Sequence, residues 1–549
     1  MATTIQNSTS NKTTFTSFEH EEVNGIMANG DPYTKHFLIF NRENAPDVMN
    51  ILSTLIYTDD FYNNRAKVPI DSFFPILDTL KNKVEGGEYS LVDLTVFLSD
   101  HFKDKIESFE KMAKDGKINF ENLRSIFKIG TKFYTEKHEE LVGSIVHETS
   151  IEQGCFGEKY FVIKGLLTYT DGKDYFQFVD RFAIEEFKGL RNVDSLSIKI
   201  MNDDIEKQLI ERGKKFLKYG LNRHYQLYKG TMFRRTQCGN YHFKADGRVM
   251  VDVNGFIQMN PNYPINRNNT GYNQGKTFKD IPEDLLYMTY PFLLGFSFSS
   301  KQWGEIYVEN LDEIKFDDKA FDYLVLDENI KQMSKALVTN VSYGFTDIIS
   351  GKSGGCIFLL HGPPGVGKTL TCEAIAELLH KPLYSITVGE LGTDPKQLEK
   401  HLTQILEIAN SWDSVILIDE ADIFMEKRSI DDVNRNAMVS IFLRLLERHQ
   451  GVLFLTTNRV ENIDEAFRSR VSIIIEYSHL NKESREKIWK NLLGVAEINL
   501  EPGEINELSE KYNFNGRQIK NIIRMAQCLA KDQNKRVTLN LISSVSKFM

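Results

Sequence analysis

An excess of positive charge is missing from this chain. Its 549 residues carry 67 Lys+Arg against 76 Asp+Glu, a formal net charge of −9. Proteins that draw affinity from phosphate backbones usually carry a basic field, so nucleic acid is disfavoured as the main partner. Cysteine is also scarce. Cys155, Cys238, Cys356, Cys372 and Cys528 are odd in number and scattered, with no CxxC pair. That excludes a disulfide framework and a thiolate metal site, and it suits a reducing compartment. Long apolar runs are absent too. The stretch Leu285 to Ser299 is interrupted by Pro291 and falls short of the ~20 residues a membrane helix needs. The N-terminus lacks a basic region followed by an apolar one, so neither a secretory signal nor a membrane span is expected. Hydrophobic residues at 41% and charged residues at 26% are ordinary for a globular protein, and the length suits roughly three or four domains.

Taken in order, residues 1–30 are rich in Thr, Ser and Asn and are expected to form a flexible tail. Over 31–150 the pattern is mainly helical, with Val48, Ile51, Leu52 and Leu55 on one face and Phe102, Ile106, Phe109 and Met112 on another. Residues 151–335 read as an α+β domain. A hairpin is expected at Asp171-Gly172 and a second at Asp246-Gly247, with a helix from Ile205 to Tyr219 between them. Phe296, Phe298 and Trp303 read as core aromatics, and Arg234 and Arg235 as a solvated hairpin edge. From Leu326 to Ser350 the sequence suggests a helix and a turn, with Val338 to Ile349 placed beside an adenine ring.

The most informative stretch is Cys356 to Ala376, an apolar strand run, a Gly/Pro loop and a helix in that order. Gly362-Pro363-Pro364-Gly365-Val366-Gly367-Lys368-Thr369 fits G-x-x-x-x-G-K-[ST], and Leu370 closes the run. Glycines let successive backbone N–H groups turn inward toward phosphate oxygens, and the helix that starts near Lys368 adds its positive end. Lys368 would reach the β and γ phosphates of ATP, and the Thr369 hydroxyl would hold Mg2+. A dinucleotide fingerprint would want glycine where Leu370 stands and has no use for Lys368.

The strand Val415 to Ile418 ends in Asp419-Glu420. Side chains alternate along a strand, so Asp419 can face the metal while Glu420 turns to the attacking water. The next strand run, Val452 to Thr457, delivers Asn458, which could hold that water or the γ phosphate. Arg468 and Arg470 follow as candidates for an arginine finger, with Arg470 favoured. From about 481 the chain is helical, and Arg517 opens one helix where it could sense the nucleotide.

Together GPPGVGKT, VILIDEAD, LFLTTN and IDEAFRSR resemble the AAA ATPases of the AAA+ superfamily over about residues 336–549. GTDP at 392–395, the run 425–447 and FNGRQIKNIIR at 514–524 look similar to one group within it. These are AAA proteins of filamentous fungi and large DNA viruses that carry a poorly characterised N-terminal domain. IERGKKF at 210–216 and DGRVMVD at 246–252 look similar to that domain. The resemblance implies an α/β P-loop NTPase subdomain at 336–480 and a helical lid at 481–549. It also implies a homo-oligomeric ring, expected to be a hexamer, with ATP bound between subunits. By position, Lys368 and Thr369 match Walker A, Asp419 and Glu420 Walker B, Asn458 sensor 1, and Arg470 the finger.

Two departures stand out. The pair Arg468-Ser469-Arg470 is more compressed than the usual pattern, and the loop after Val388 lacks the aromatic pore motif of threading unfoldases. Three readings follow: a Mg-dependent ATP hydrolase that remodels an unknown protein partner engaged through 31–335, a nucleotide-switched scaffold with slow hydrolysis, and a nucleic-acid motor. The expected location is cytoplasmic or nuclear, in a host cell if the chain is viral.

Overall fold

A computed structural model describes residues 9–26, 32–56, 58–137, 139–154, 157–263, 276–340, 355–392, 394–425, 433–447, 449–459 and 465–549. Contacts divide the chain into two compact units. One comprises 1–222, 264–293 and 307–309, and the other 223–263, 294–306 and 310–549.

Among the described residues the first unit holds two larger antiparallel sheets and a two-stranded one, Lys117–Ile118 with Arg191–Asn192. Strands Thr9–Thr14, Glu19–Ile26, Pro32–Asn41 and Arg65–Pro69 form one in that order. The expected flexible tail is therefore corrected over 9–26. Its Thr-rich alternation suits a pleated strand, and buried Phe18 with partly buried Phe15 anchors it to the core that contains Val48, Met49 and Leu52. Helices Pro46–Leu55, Leu77–Glu85, Val92–His101 and Lys103–Lys114 account for the helical signal that follows. The side chain of Phe109 lies outside the described residues.

A second sheet runs Ile198–Ile200, Lys132–Lys137, Glu140–Gln153, Lys159–Thr170, Tyr175–Glu185, Thr277–Phe278. This second sheet starts at 132, ahead of the expected change near 150, and the strands of the first sheet lie earlier still. The hairpin at Asp171-Gly172 is present, with Thr170 opposite Tyr175, and the expected helix occupies Asp203–Tyr219.

The second unit contains most of a seven-stranded sheet, ordered Gly239–Lys244, Thr231–Thr236, Gln302–Tyr307, Phe292–Ser297, Gly247–Val251, His224–Tyr228, Leu311–Asp312. The range 151–335 is consequently shared between the two units. Asp246-Gly247 is not a hairpin turn, because Gly247–Val251 pairs with His224–Tyr228 and Phe292–Ser297. Instead Asp246 Oδ1 accepts the Gly230 N–H at 2.7 Å. The hairpin turns at Thr236–Gly239, where Thr236 Oγ1 donates to the Gly239 carbonyl. Nor is Arg235 solvated. Its Nε lies 2.6 Å from the carboxylate of Glu305, itself 2% exposed, and a buried carboxylate needs such a partner.

Within this unit the seven-stranded sheet is fastened to the parallel sheet. Trp412 Nε1 donates to Asp252 Oδ2 at 2.7 Å, Phe296 stacks on Tyr384, and Arg248 pairs with Glu377 at 2.5 Å. Phe296 and Trp303 are buried core as expected, packed against Trp412.

The parallel sheet is ordered Leu383–Thr387, Val415–Asp419, Val452–Thr457, Cys356–His361, Ile473–Glu476. Parallel strands covered on both faces read as continuous apolar runs, and these do. Ile357, Leu359, Ile416, Ile418, Leu453 and Leu455 face Leu398, Leu402, Val439 and Phe442. Phe358, Leu360, Leu417 and Phe454 face Cys372, Ile375 and Ala376. Helix Glu328–Thr339, capped by Asp327, precedes this sheet. Val338 is buried in the second of those clusters, whereas 341–349 lie outside the described residues. Four helices, Lys482–Val495, Pro502–Lys511, Gly516–Asp532 and Leu539–Ser546, end the chain around Trp489. Among the described residues no helix is long and apolar enough to cross a membrane.

Burial sets a pH dependence. His449 is 4% exposed, and desolvation pushes its imidazole down to about 4. Below the ordinary histidine range the unfolded chain takes up a proton that the folded chain refuses, so stability is full near neutrality and falls as pH drops from about 6.5 toward 4, by up to about 3 kcal/mol from this group. In the first unit, burial and then repulsion from His36 lower His20 and His101 in the same sense. The urea midpoint should fall between pH 7 and pH 5, with a shallower slope in His449→Asn. An unchanged slope in that variant would remove His449 from the effect.

Candidate active site

The strand Cys356–His361 is buried throughout and runs straight into the phosphate-loop sequence. Gly362 turns at φ +142° and Gly365 at φ +78°, conformations that a side chain resists. Close neighbours add a second constraint. A Cβ on Gly362 would strike the Tyr477 carbonyl, and one on Gly365 would meet the Asn515 side chain at 2.7 Å. The Gly365 carbonyl also accepts the Gly516 N–H at 3.0 Å, so the helix Gly516–Asp532 begins against the loop. Gly367 ends the loop at the N-cap of helix Lys368–Leu378.

Lys368 is 8% exposed. Its ammonium donates to the carbonyls of Gly362 at 2.7 Å and Pro363 at 2.9 Å, and to Asn458 Oδ1 at 2.8 Å. Burial lowers its proton affinity and Arg517 lowers it further, while Asp419, Asp422 and Glu420 oppose the shift. A buried cation with acids around it and only neutral acceptors in contact is suited to anionic oxygens.

Strand Val415–Asp419 ends at this edge of the sheet, and Glu420 takes φ +54°, an uncommon backbone for a non-glycine residue. What holds it is Thr456. The Thr456 hydroxyl donates to Asp419 Oδ1 and accepts the Glu420 N–H at 3.0 Å, so one hydroxyl holds the Asp419 carboxylate and the Glu420 backbone. Thr457 donates to Asp422 Oδ1 and accepts the Arg459 N–H at 2.9 Å. Thr371 and Tyr477 share a hydrogen bond of 2.6 Å beneath the loop.

The structure therefore brings Gly362, Pro363, Gly365, Lys368, Asp419, Glu420 and Asn458 to the carboxyl ends of the parallel strands, where open α/β sheets bind ligands. Thr369 follows Lys368 in the first turn and is half-buried; Pro364 is exposed, and Val366 is half-buried against the sheet core. Leu370, which closes the loop run, is 55% exposed. The helix points Cys372, Ile375 and Ala376 inward instead. Asn458, expected to hold the water or the γ phosphate, accepts a hydrogen bond from Lys368.

Arg470 is tied within its own chain to Glu447 at 2.7 Å and to the Ala466 carbonyl at 2.6 Å. Arg468 lies exposed on the short helix Glu465–Arg468, and Arg517 is exposed in the first turn of its own helix. Sequence reasoning passed over Thr456, Thr457, Asp422 and Asn515. Two hydroxyls closing an otherwise aliphatic strand were the available signal for the first pair.

A parallel sheet with a glycine-bent loop, an N-terminal helix lysine and strand-end acids defines a P-loop nucleotide-binding module. Residues 358–479 match the family model described as "ATPase family associated with various cellular activities (AAA)", and the chain carries an AAA ATPase domain. Residues 108–201 match a domain of unknown function, DUF7025. The chain is 30% identical over 138 residues to the human ATPase family AAA domain-containing protein 3B, covering 24% of this chain and 21% of that protein. It is 28% identical over 205 residues to Fidgetin-like protein 1 of Drosophila melanogaster, covering 34% and 39% respectively. It thus spans well under half the length of either relative. The solved FIGL-1 AAA domain in complex with ADP aligns over 41% of this chain and 82% of its own, at 22% identity and a TM-score of 0.33.

Proposed function

We propose that this protein is a Mg-dependent ATP hydrolase of the AAA type that works as a homo-oligomeric ring, expected to be a hexamer. Its ATP cycle remodels a macromolecular partner engaged through residues 31–335. The observation that carries the reading is the single hydroxyl of Thr456 bonded to the Asp419 carboxylate and to the Glu420 backbone N–H, with both acids close enough to Lys368 to influence its charge.

The residues present fit a triphosphate and its cation. The loop glycines turn their backbone in the way a phosphate cradle requires, and Lys368 contacts only neutral oxygens. Thr369 and Asp419 would hold Mg2+, which when bound neutralises phosphate charge. Lys368 would bind the terminal phosphates. Glu420 would orient a water and take its proton at a carboxylate oxygen. Asn458 keeps the lysine aligned, and Arg517 is positioned to add positive charge near it.

One observation favours a second reading. The Arg470–Glu447 pair occupies the favoured finger within its own subunit, which suits a nucleotide-held scaffold with slow turnover. Phosphate release by the purified chain discriminates the two. The hydrolase reading expects release that stops with EDTA and rises per subunit with protein concentration, together with loss in Arg470→Ala. Nucleotide-dependent assembly without turnover at any concentration would favour the scaffold.

A further inference from the structure

The helix Asp203–Tyr219 belongs to the first unit and contains none of the residues placed at the nucleotide. Its C-terminal half carries Arg212, Lys214, Lys215 and Lys218. Gly213 presses it against Leu286, whose carbonyl a Cβ would strike, so the position of Arg212 is fixed.

Arg212 is 3% exposed. Among the described residues its nearest carboxylate, Glu140, stands 3.7 Å from Nη1, while Nε and Nη2 have no hydrogen-bond partner. These two nitrogens form one edge of the guanidinium, and their parallel N–H bonds match two oxygens of an oxyanion. Buried polar groups are rarely left in this state, and each one calls for an explanation. Burial and neighbouring Glu309 raise the proton affinity of Glu140 while Arg212 lowers it, and Glu309 and Glu140 both offset the burial of the Arg212 charge without bonding its Nε–Nη2 edge.

Arg212 also lines a cavity of about 540 Å3 with Lys214, Lys215, Lys218 and Gln208. The acids there are Glu211 and Glu309. Lys214 donates to Glu211 at 2.6 Å, and Lys215 to the Glu309 carbonyl at 2.8 Å. With Glu140 beside Arg212, four cations stand against three carboxylates, which leaves the site net positive. Its volume suits a small metabolite.

We propose that this cavity is an anion site for a phosphate-bearing small molecule, with the Nε–Nη2 edge of Arg212 as its fork and the lysines as its rim. Such a site lets the N-terminal unit bind a small ligand of its own, apart from the ATP cycle.

Hydrogen exchange of the full chain tests it, with saturating Mg·ADP present so that the P-loop does not compete for the probe. Inorganic phosphate at up to about 10 mM, above a millimolar Kd, should slow exchange in peptides from 203–219 saturably, whereas sodium chloride of equal ionic strength should not. Arg212→Met should abolish the protection. Because replacing a buried arginine can disturb the fold, Lys218→Glu, an exposed rim change, is the second variant and should weaken phosphate by about tenfold or more. Equal protection by chloride, no protection at the highest phosphate concentration, or parental binding in both variants would overturn the proposal.

Discussion

Glu420→Gln binds Mg·ATP as tightly as the parent chain and hydrolyses it about 100-fold more slowly or worse. The amide keeps the size and hydrogen-bonding reach of the side chain but cannot accept the water's proton, and general-base removal costs about 10²- to 10⁴-fold. The exposed side chain follows a strand end whose buried residues are untouched, so folding should not change. A binding titration with a fluorescent ATP analogue beside a phosphate-release assay separates the two effects. Equal turnover in the variant would remove Glu420 from the chemistry.

Thr456→Val slows turnover by about 10- to 100-fold, the range seen when a residue that orients a metal ligand is lost. Valine preserves the shape of a side chain that is 1% exposed but deletes both the donor to Asp419 and the acceptor for the Glu420 N–H. Two groups are thereby released at once. Asp419 loses its orientation toward the cation, and Glu420, held at φ +54°, loses the bond that secures that conformation. Three readouts distinguish this from general damage. The Mg2+ concentration for half-maximal activity should rise, ATP binding should persist, and Thr456→Ser should recover most of the rate because it keeps the hydroxyl. A uniform loss of stability and ATP binding, with no rescue by serine, would make Thr456 merely structural.

How much was legible in the chain follows from the range of the interactions involved. The strand–loop–helix around Lys368 and the strand ending at Asp419 are written locally, as apolar runs meeting glycine or acids, and sequence suffices to place them. The C-terminal helices are equally local, with caps at Asn481, Asn515 and Thr538. Pairings across long separations were not legible. Thr456 meets Asp419 only because two parallel strands align in register, and Arg235 meets Glu305 across another sheet. The tail was misjudged on composition, because a Thr-rich strand and a Thr-rich coil differ only in what they pair with. The domain boundary near 335 follows from where the AAA resemblance starts, which carries no sign of the Trp412–Asp252 and Arg248–Glu377 contacts within one unit.

These contacts matter for how the ATP cycle is read. Glu377 lies on the helix that Lys368 begins, and its carboxylate also accepts the Asp317 N–H at 3.1 Å. The C-terminal half of that helix is therefore gripped by residues outside the parallel sheet, while its N-terminal turn faces the proposed phosphates.

The most direct measurement is a structure of the chain with Mg2+ and a non-hydrolysable ATP analogue. The account predicts phosphates against the backbone of 362–369 and the Lys368 ammonium, the cation beside Thr369 and Asp419, and Glu420 facing the terminal phosphate. A loop left empty at saturating nucleotide, or both acids turned away from a bound one, would contradict it.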